Sequence, residues 1–310
     1  MTSNRIGDAV LSTGLLGHLI DTWPQARITL ACGPAAAPLF ADTPNIEKLI
    51  AMVKQRRAGH WLALWRQCAG QVWDLVVDLR ASALAWMLWA RRRAVLRKGD
   101  APIHRVKLIA SVLGLDPPPA PRLYIGADRH RRAAELLPDG APVLALGPTA
   151  NWGGKQWPAD RFAAVARDLL APGGLLAGGR VALFAGPNER GPVDALKAGL
   201  PGEDVIDLAG SIDLLTAAAC LQRCVLYVGN DSGLMHLAAA AGVPTLGLFG
   251  PSPDVHYAPW GEHAAFVRTP ESFEQIVRAP GYDWRKQNSL MTTLSVDSVV
   301  QAASRLLARP

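Results

Sequence analysis

Val225-Leu226-Tyr227-Val228-Gly229-Asn230-Asp231-Ser232-Gly233-Leu234-Met235-His236-Leu237-Ala238-Ala239-Ala240-Ala241-Gly242-Val243-Pro244 is the segment from which the architecture follows. A β-branched and aromatic run enters a polar turn, an Ala/Leu-rich helical run follows, and Gly242 and Pro244 stop it, so it reads as strand, turn and helix. Asp231 and Ser232 are helix N-cap residue types, and Gly233 lets the backbone approach a ligand. Free N–H groups and the positive end of the helix dipole then face an anion at the carboxyl edge of a sheet. A diphosphate fits that place. An ordinary capped helix gives the same spacing, and the spacing alone leaves both readings open.

The same rhythm extends outward. Strands read at 143–146, 180–185, 204–208, 225–228 and 245–249, with helices at 158–170, 189–198, 213–222 and 234–241 between them. Alternation of this kind makes a parallel sheet and a Rossmann-like domain. The first half repeats it, with helices at 9–22, 60–69 and 82–92 and strands at 27–31, 48–52 and 74–79. A chain of 310 residues suits two such cores, expected at 1–140 and 141–310, with the last helical run, 296–308, packing back on the first domain.

Composition narrows the class. Half of the residues are hydrophobic and 19% are charged, which excludes a disordered chain. No apolar run reaches the ~18 residues of a membrane span. Leu84-Ala85-Trp86-Met87-Leu88-Trp89-Ala90 runs into Arg91-Arg92-Arg93, a pattern for lying at an interface rather than crossing it. The first residues lack the charged and apolar regions of a secretory signal, so a cytoplasmic location is expected. The four cysteines show no CxxC spacing and read as free thiols rather than metal ligands. A net charge of +6 favours an anionic partner, whether nucleotide, phosphorylated lipid or nucleic acid. No strand leads into GxGxxG, which disfavours a nicotinamide oxidoreductase.

The run Asn230–Ala240, closed by Gly242-Val243-Pro244 and Leu248-Phe249-Gly250-Pro251-Ser252, is similar to the hallmark of glycosyltransferase family 9, the heptosyltransferases. Gly147-Pro148-Thr149-Ala150-Asn151-Trp152-Gly153-Gly154-Lys155-Gln156-Trp157-Pro158 resembles the family's phosphate loop with its Lys-x-Trp-Pro ending. Arg5-Ile6-Gly7-Asp8-Ala9-Val10-Leu11-Ser12-Thr13 resembles its N-terminal Gly-Asp motif, and Trp73-Asp74-Leu75-Val76-Val77-Asp78-Leu79 supports both. The resemblance runs from Arg5 to about Gly261. It implies a GT-B fold: two Rossmann-like domains with parallel sheets facing a central cleft, the acceptor bound by the first and the nucleotide sugar by the second. The activity it implies is inverting transfer of a heptose from ADP-heptose to a lipopolysaccharide inner-core acceptor, with no metal and no cofactor. The partners are then an ADP-sugar and an anionic lipid-linked saccharide, with no nucleic acid. Peripheral contact with the inner membrane through Trp86 and Trp89 goes with them. The rivals are a GT-B enzyme using another nucleotide sugar and a catalytically idle nucleotide-sugar-binding protein at the membrane.

Carried onto this chain residue by residue, the resemblance makes Asp8 the general base and Lys155 the cation that neutralises the departing diphosphate. Without it, Asp8 reads first as a helix cap, a role that can coexist with catalysis, and Lys155 as a solvated loop lysine. Donor contacts fall on Thr149, Asn151, Glu189, Asp231, Ser232, Gly233, Leu234 and His236. Glu189 reads either as a ribose ligand or as helix-start electrostatics, and His236 either as a phosphate or sugar contact or as a packing residue. Arg80, Arg91, Arg97 and Arg105 are the acceptor candidates, within a basic run that includes Lys98. Two departures stand out. The family begins with an apolar strand ahead of Gly-Asp, whereas here only Met1 to Ile6 precede Gly7, so a short or clipped first strand is expected. In the phosphate loop, Ala150 and Asn151 stand where some members carry hydroxyls, which puts donor affinity or identity in question.

Overall fold

The computed structural model describes residues 1–97, 102–200, 202, 204–286 and 288–309, so Lys98 lies outside the described residues. The chain divides into two compact units, Met1–Tyr124 and Ile125–Pro310. The parting therefore comes ahead of the division expected after residue 140, because the helix at Ala127–Leu136 packs against Leu214–Leu221 of the second unit.

In the first unit, α1 (Ile6–Leu11), α2 (Thr13–Thr22), β1 (Ile28–Cys32), β2 (Ile46–Ala51), α3 (Gly59–Cys68), β3 (Trp73–Asp78), α4 (Leu84–Met87), β4 (Ala90–Val95) and α5 (Arg105–Ala110) follow in order. The helix read at 9–22 is thus two, meeting at Ser12, whose hydroxyl bonds back to Ala9 O at 2.7 Å. β1 pairs with β2 and β3 with β4, both in parallel. The stretch read as a helix over 82–92 keeps only four helical residues; the arginine run forms β4. Ala and Leu favour helix only weakly, and here tertiary pairing overrides them. Arg93 fixes the change of structure by donating to the carbonyls of Ala85, Leu88 and Ala90 at 2.7–3.2 Å.

Met1–Ser3 joins the two strand pairs. Thr2 N–H donates to Ala31 O at 2.9 Å and Gly33 N–H to Ser3 O at 3.2 Å on one side. On the other, the Met1 amine donates to Val77 O at 2.7 Å and Leu79 N–H to Met1 O at 3.0 Å. These three residues bridge the two strand pairs through backbone hydrogen bonds without forming a strand of their own. Beyond Met1, β1 and β3 part around a cavity of about 1030 Å³ lined by Leu15, Leu19, Ile28, Phe40, Trp73 and Leu75, among others.

The second unit holds α6 (Ala127–Leu136), β5 (Val143–Gly147), α7 (Ala159–Leu170), β6 (Arg180–Leu183), α8 (Arg190–Ala198), β7 (Val205–Asp207), α9 (Leu214–Leu221), β8 (Leu226–Asn230), α10 (Gly233–Ala241), β9 (Thr245–Phe249), α11 (Asp254–Tyr257), β10 (Ala264–Arg268), α12 (Phe273–Val277) and α13 (Val296–Leu307). Its six-stranded parallel sheet runs β10-β9-β8-β5-β6-β7. β5, β8 and β9 are buried along their whole length, as strands covered on both faces must be. On one face Leu144, Leu146, Val228 and Leu248 pack on Phe162 and Leu169 of α7 and Val299 and Leu306 of α13. The final helix therefore completes the core of its own unit. β10, unread in the sequence, is a half-exposed edge strand.

Candidate active site

The loop that leaves β5 is held at both ends by one side chain. Asn230, fully buried at the end of β8, donates to Pro148 O at 2.8 Å and accepts from Trp157 N–H at 3.0 Å. Trp157, 2% exposed, donates its indole N–H to Leu294 O at 3.1 Å and sets its ring edge-on to Phe162. Between these anchors Gly153–Lys155 makes a single 3₁₀ turn. A Cβ on Gly154 would lie 2.5 Å from the Trp152 ring, so any larger residue there would displace that ring.

That turn delivers Lys155 to Asp231, and the two side chains form an ion pair. Their side chains are 22% and 7% exposed, so the pair is largely sheltered from solvent screening. Asp231 is thus committed to Lys155 rather than to capping. Ser232 holds the N-cap position of α10, but its side chain makes no cap hydrogen bond. The first N–H groups of a nine-residue helix thereby keep their donor capacity beside an ammonium, at the carboxyl end of β8. Gly233 and Leu234, in the first turn, are half-buried.

Glu189 precedes α8 yet does not cap it. Its Oε2 turns back to accept from Gly186 N–H and Thr149 Oγ, both at 2.9 Å. Thr149 is 1% exposed, and so it holds the carboxylate in place rather than presenting a free hydroxyl. Asn151 is exposed on the loop. His236 is 5% exposed and lies 6.4 Å from the Tyr257 ring, the environment of a packing histidine. Of the donor candidates, then, the fold brings Lys155, Asp231, Ser232 and Gly233 into one cluster and links Thr149 to Glu189.

In the first unit, α1 begins after Arg5, so Asp8 is an acidic residue of its first turn and does not hold the N-cap position. Its carboxylate accepts from Ser3 Oγ at 3.3 Å and pairs with Arg105 at 3.9 Å. Arg80 donates to Asn4 at 3.0 Å and stacks over Trp61. These groups gather at the carboxyl ends of β1 and β3, where α/β sheets bind ligands. Arg97 is exposed just past the end of β4. Arg91 is elsewhere. It pairs with Asp74 at 3.1 Å near the opposite ends of β3 and β4, so register removes it from the Asp8 cluster.

Two residues escaped sequence reasoning. Asn230 lay inside a quoted motif but looked like turn polarity, and its partners are 73 and 82 positions away. Tyr227 looked like an ordinary strand aromatic. Its phenol lies across Gly147 and Gly229, where an added Cβ would come within 2.0 and 2.3 Å of the hydroxyl. Paired glycines at one register position beside an aromatic were the available signal.

The sequence model of glycosyltransferase family 9 (heptosyltransferase) matches residues 79–279. Lipopolysaccharide heptosyltransferase 3 of Escherichia coli K12 is 25% identical over 336 residues, covering 97% of this chain and 95% of its own. A solved family 9 glycosyltransferase from Veillonella parvula is 26% identical, with a TM-score of 0.82 over 98% of this chain and 95% of that one. The E. coli ADP-heptose LPS heptosyltransferase II shares the fold at 22% identity, with a TM-score of 0.75 over 99% and 98% of the two chains. A family match over more than half of the chain, on a fold shared with solved GT-B heptosyltransferases, makes this protein a member of glycosyltransferase family 9.

Proposed function

We propose that the protein transfers a heptose from ADP-heptose to an anionic, lipid-linked saccharide of the lipopolysaccharide inner core, with inversion at the anomeric carbon and without a metal ion. The observation that carries this reading is Lys155, braced on Asp231 beside the uncapped N-terminus of α10. An ammonium and unspent N–H groups are what a departing diphosphate needs as charge develops on it. The names of the relatives support heptose as the sugar, lipopolysaccharide as the acceptor and ADP as the carrier. Asp8 takes the proton of the acceptor hydroxyl as that oxygen attacks the anomeric carbon, opposite the leaving ADP. Arg105 and Ser3 hold its carboxylate. Glu189, fixed through Oε2, offers its second oxygen to ribose hydroxyls, with Asn151 on the loop completing the nucleoside contacts. Arg80, Arg97 and Arg105 meet the acceptor's negative charges.

Calorimetric titration with ADP, UDP and GDP at one stated salt concentration tests the donor. ADP binds tightest if the reading holds; preference for UDP or GDP replaces it with a transferase of another nucleotide sugar. Transfer to a core-deficient acceptor then separates an enzyme from an idle nucleotide-sugar binder. A peripheral membrane contact belongs to the same reading. Trp86 and Trp89 are about 70% exposed beside Arg91 and Arg92, an aromatic and basic surface suited to an anionic interface. No helix among the described residues is long and apolar enough to cross a membrane. Sedimentation with anionic vesicles, lost in a Trp86→Ala/Trp89→Ala variant, checks it.

A further inference from the structure

Tyr227 is completely buried, and its hydroxyl makes no well-formed hydrogen bond. The Ser232 hydroxyl is in the same condition, buried at its oxygen and without a well-formed hydrogen bond. The two are neighbours. Burial keeps the phenol protonated and the nearby Glu189 carboxylate adds to that effect, while hydrogen bonding to the Ser232 side chain opposes it without reversing it. Leaving hydroxyls buried and unsatisfied costs free energy, and folded proteins generally resolve such groups with water or ligand. The chain also accommodates this phenol at the expense of two positions, since Gly147 and Gly229 can carry no side chain beneath it.

The hydrogen-bond inventory gives the roles a direction. A neutral phenol donates one proton, and a serine hydroxyl accepts as well as donates. Ser232 Oγ is not engaged by the helix it precedes, so its lone pairs are open to Tyr227. A serine that accepts from below has its own proton left for a group above, on the side where the α10 N–H groups and Lys155 converge. Tyr227 has no exposed surface, so it acts on a ligand through a neighbour, and Ser232 is the neighbour that can pass on a hydrogen bond.

We propose that Tyr227 is a positioning residue of the donor site: its phenol donates to Ser232 Oγ when the nucleotide binds and so aims the Ser232 hydroxyl at the diphosphate. This rests on the donor reading above. The test uses Tyr227→Phe, Ser232→Ala and the double variant, each titrated with ADP and assayed for transfer from ADP-heptose. Tyr227→Phe keeps the ring that packs over the two glycines, so its melting temperature should match or exceed that of the parent. Its ADP Kd and donor KM should rise about 3–10-fold with kcat nearly unchanged, the range of one neutral hydrogen bond. The double variant should bind ADP no more weakly than Ser232→Ala alone, because Tyr227 acts through that hydroxyl. An unchanged ADP Kd in Tyr227→Phe, or losses that simply add in the double variant, overturns the proposal while the donor reading stands. A parent protein that does not bind ADP at all removes both.

Discussion

At the scale of single residues the decisive group is Asp8. Its place in the first turn of α1, away from the N-cap, removes the helix-cap reading, and Ser3 and Arg105 fix the carboxylate to which the proposed mechanism gives the general-base role. Asp8→Asn is expected to lower turnover by about 10²–10⁴-fold, the span for losing a general base, with folding and ADP affinity retained. Near-parental turnover in that variant would end the assignment. Lys155 behaves differently because it is also structural. Removing it strands Asp231, whose side chain is 7% exposed, without its counter-charge. Truncating one partner of a buried pair costs about 3–5 kcal/mol, so Lys155→Ala at a partly exposed pair should lose about 2–3 kcal/mol of stability besides donor affinity. Lys155→Met with Asp231→Asn should recover most of the melting temperature but not ADP binding. Recovery of both in calorimetry would make the pair a scaffold only.

At the scale of elements the phosphate loop and the bridging segment Met1–Ser3 carry the expectations. Asn230 ties Pro148 to Trp157, so Asn230→Ala frees both ends of the loop and leaves a buried N–H and C=O unpaired. A loss of about 2–4 kcal/mol follows from those orphaned groups, read as a lower melting temperature together with weaker ADP binding. An equally stable variant would show that the loop is held by packing alone. Between β1 and β3, an apolar extension of about five residues fused ahead of Met1 should enter the cavity in parallel register and raise the melting temperature, by about 2–4 °C for each kcal/mol gained. A proline-containing extension of equal length, unable to complete the ladder, should not. The extension also removes a buried cation. Burial holds the Met1 amine below its ordinary value of 8.0, so the unfolded chain binds more protons than the folded one at pH values just under 8. Stability of the unextended protein therefore rises with pH up to about 8. The extended protein should lose that slope, and melting curves at several pH values up to 8 decide the matter.

At the scale of the molecule, chemistry and folding are coupled through what each unit shelters. Cys32, Cys68, Cys220 and Cys224 are all buried and unpaired by disulfides. Burial pushes the Cys32 thiol up to about 11 and Cys220 up to about 12, and raises Cys68 and Cys224 as well. At pH 8 the folded protein thus exposes no thiolate, and an alkylating reagent should label it only as fast as it opens. Rapid labelling of folded protein would contradict the core as described. The two units differ in how complete their sheets are, six joined strands in the second against two pairs bridged by Met1–Ser3 in the first. The first unit is therefore the one expected to open first in hydrogen exchange.

The sequence by itself determined what local chemistry and period can encode. The apolar runs of β5, β8 and β9, the stop at Gly242-Val243-Pro244 and the Lys155 and Asp231 motifs were legible because each is contiguous, and those strands are buried on both faces. Tertiary structure alone decided whatever depends on a partner far along the chain. Arg91-Arg92-Arg93 became a strand because β3 offered an edge and Arg93 a set of carbonyls, against the helical leaning of the residues before it. Asp231 left its capping role because Lys155, 76 residues away, reached it first. Tyr227 and Asn230 took their meaning from Gly147, Pro148 and Trp157, which only the pairing of β5 with β8 brings alongside. Hydrogen bonds and close approaches of that kind are set by register, and register is a property of the assembled sheet rather than of any one strand.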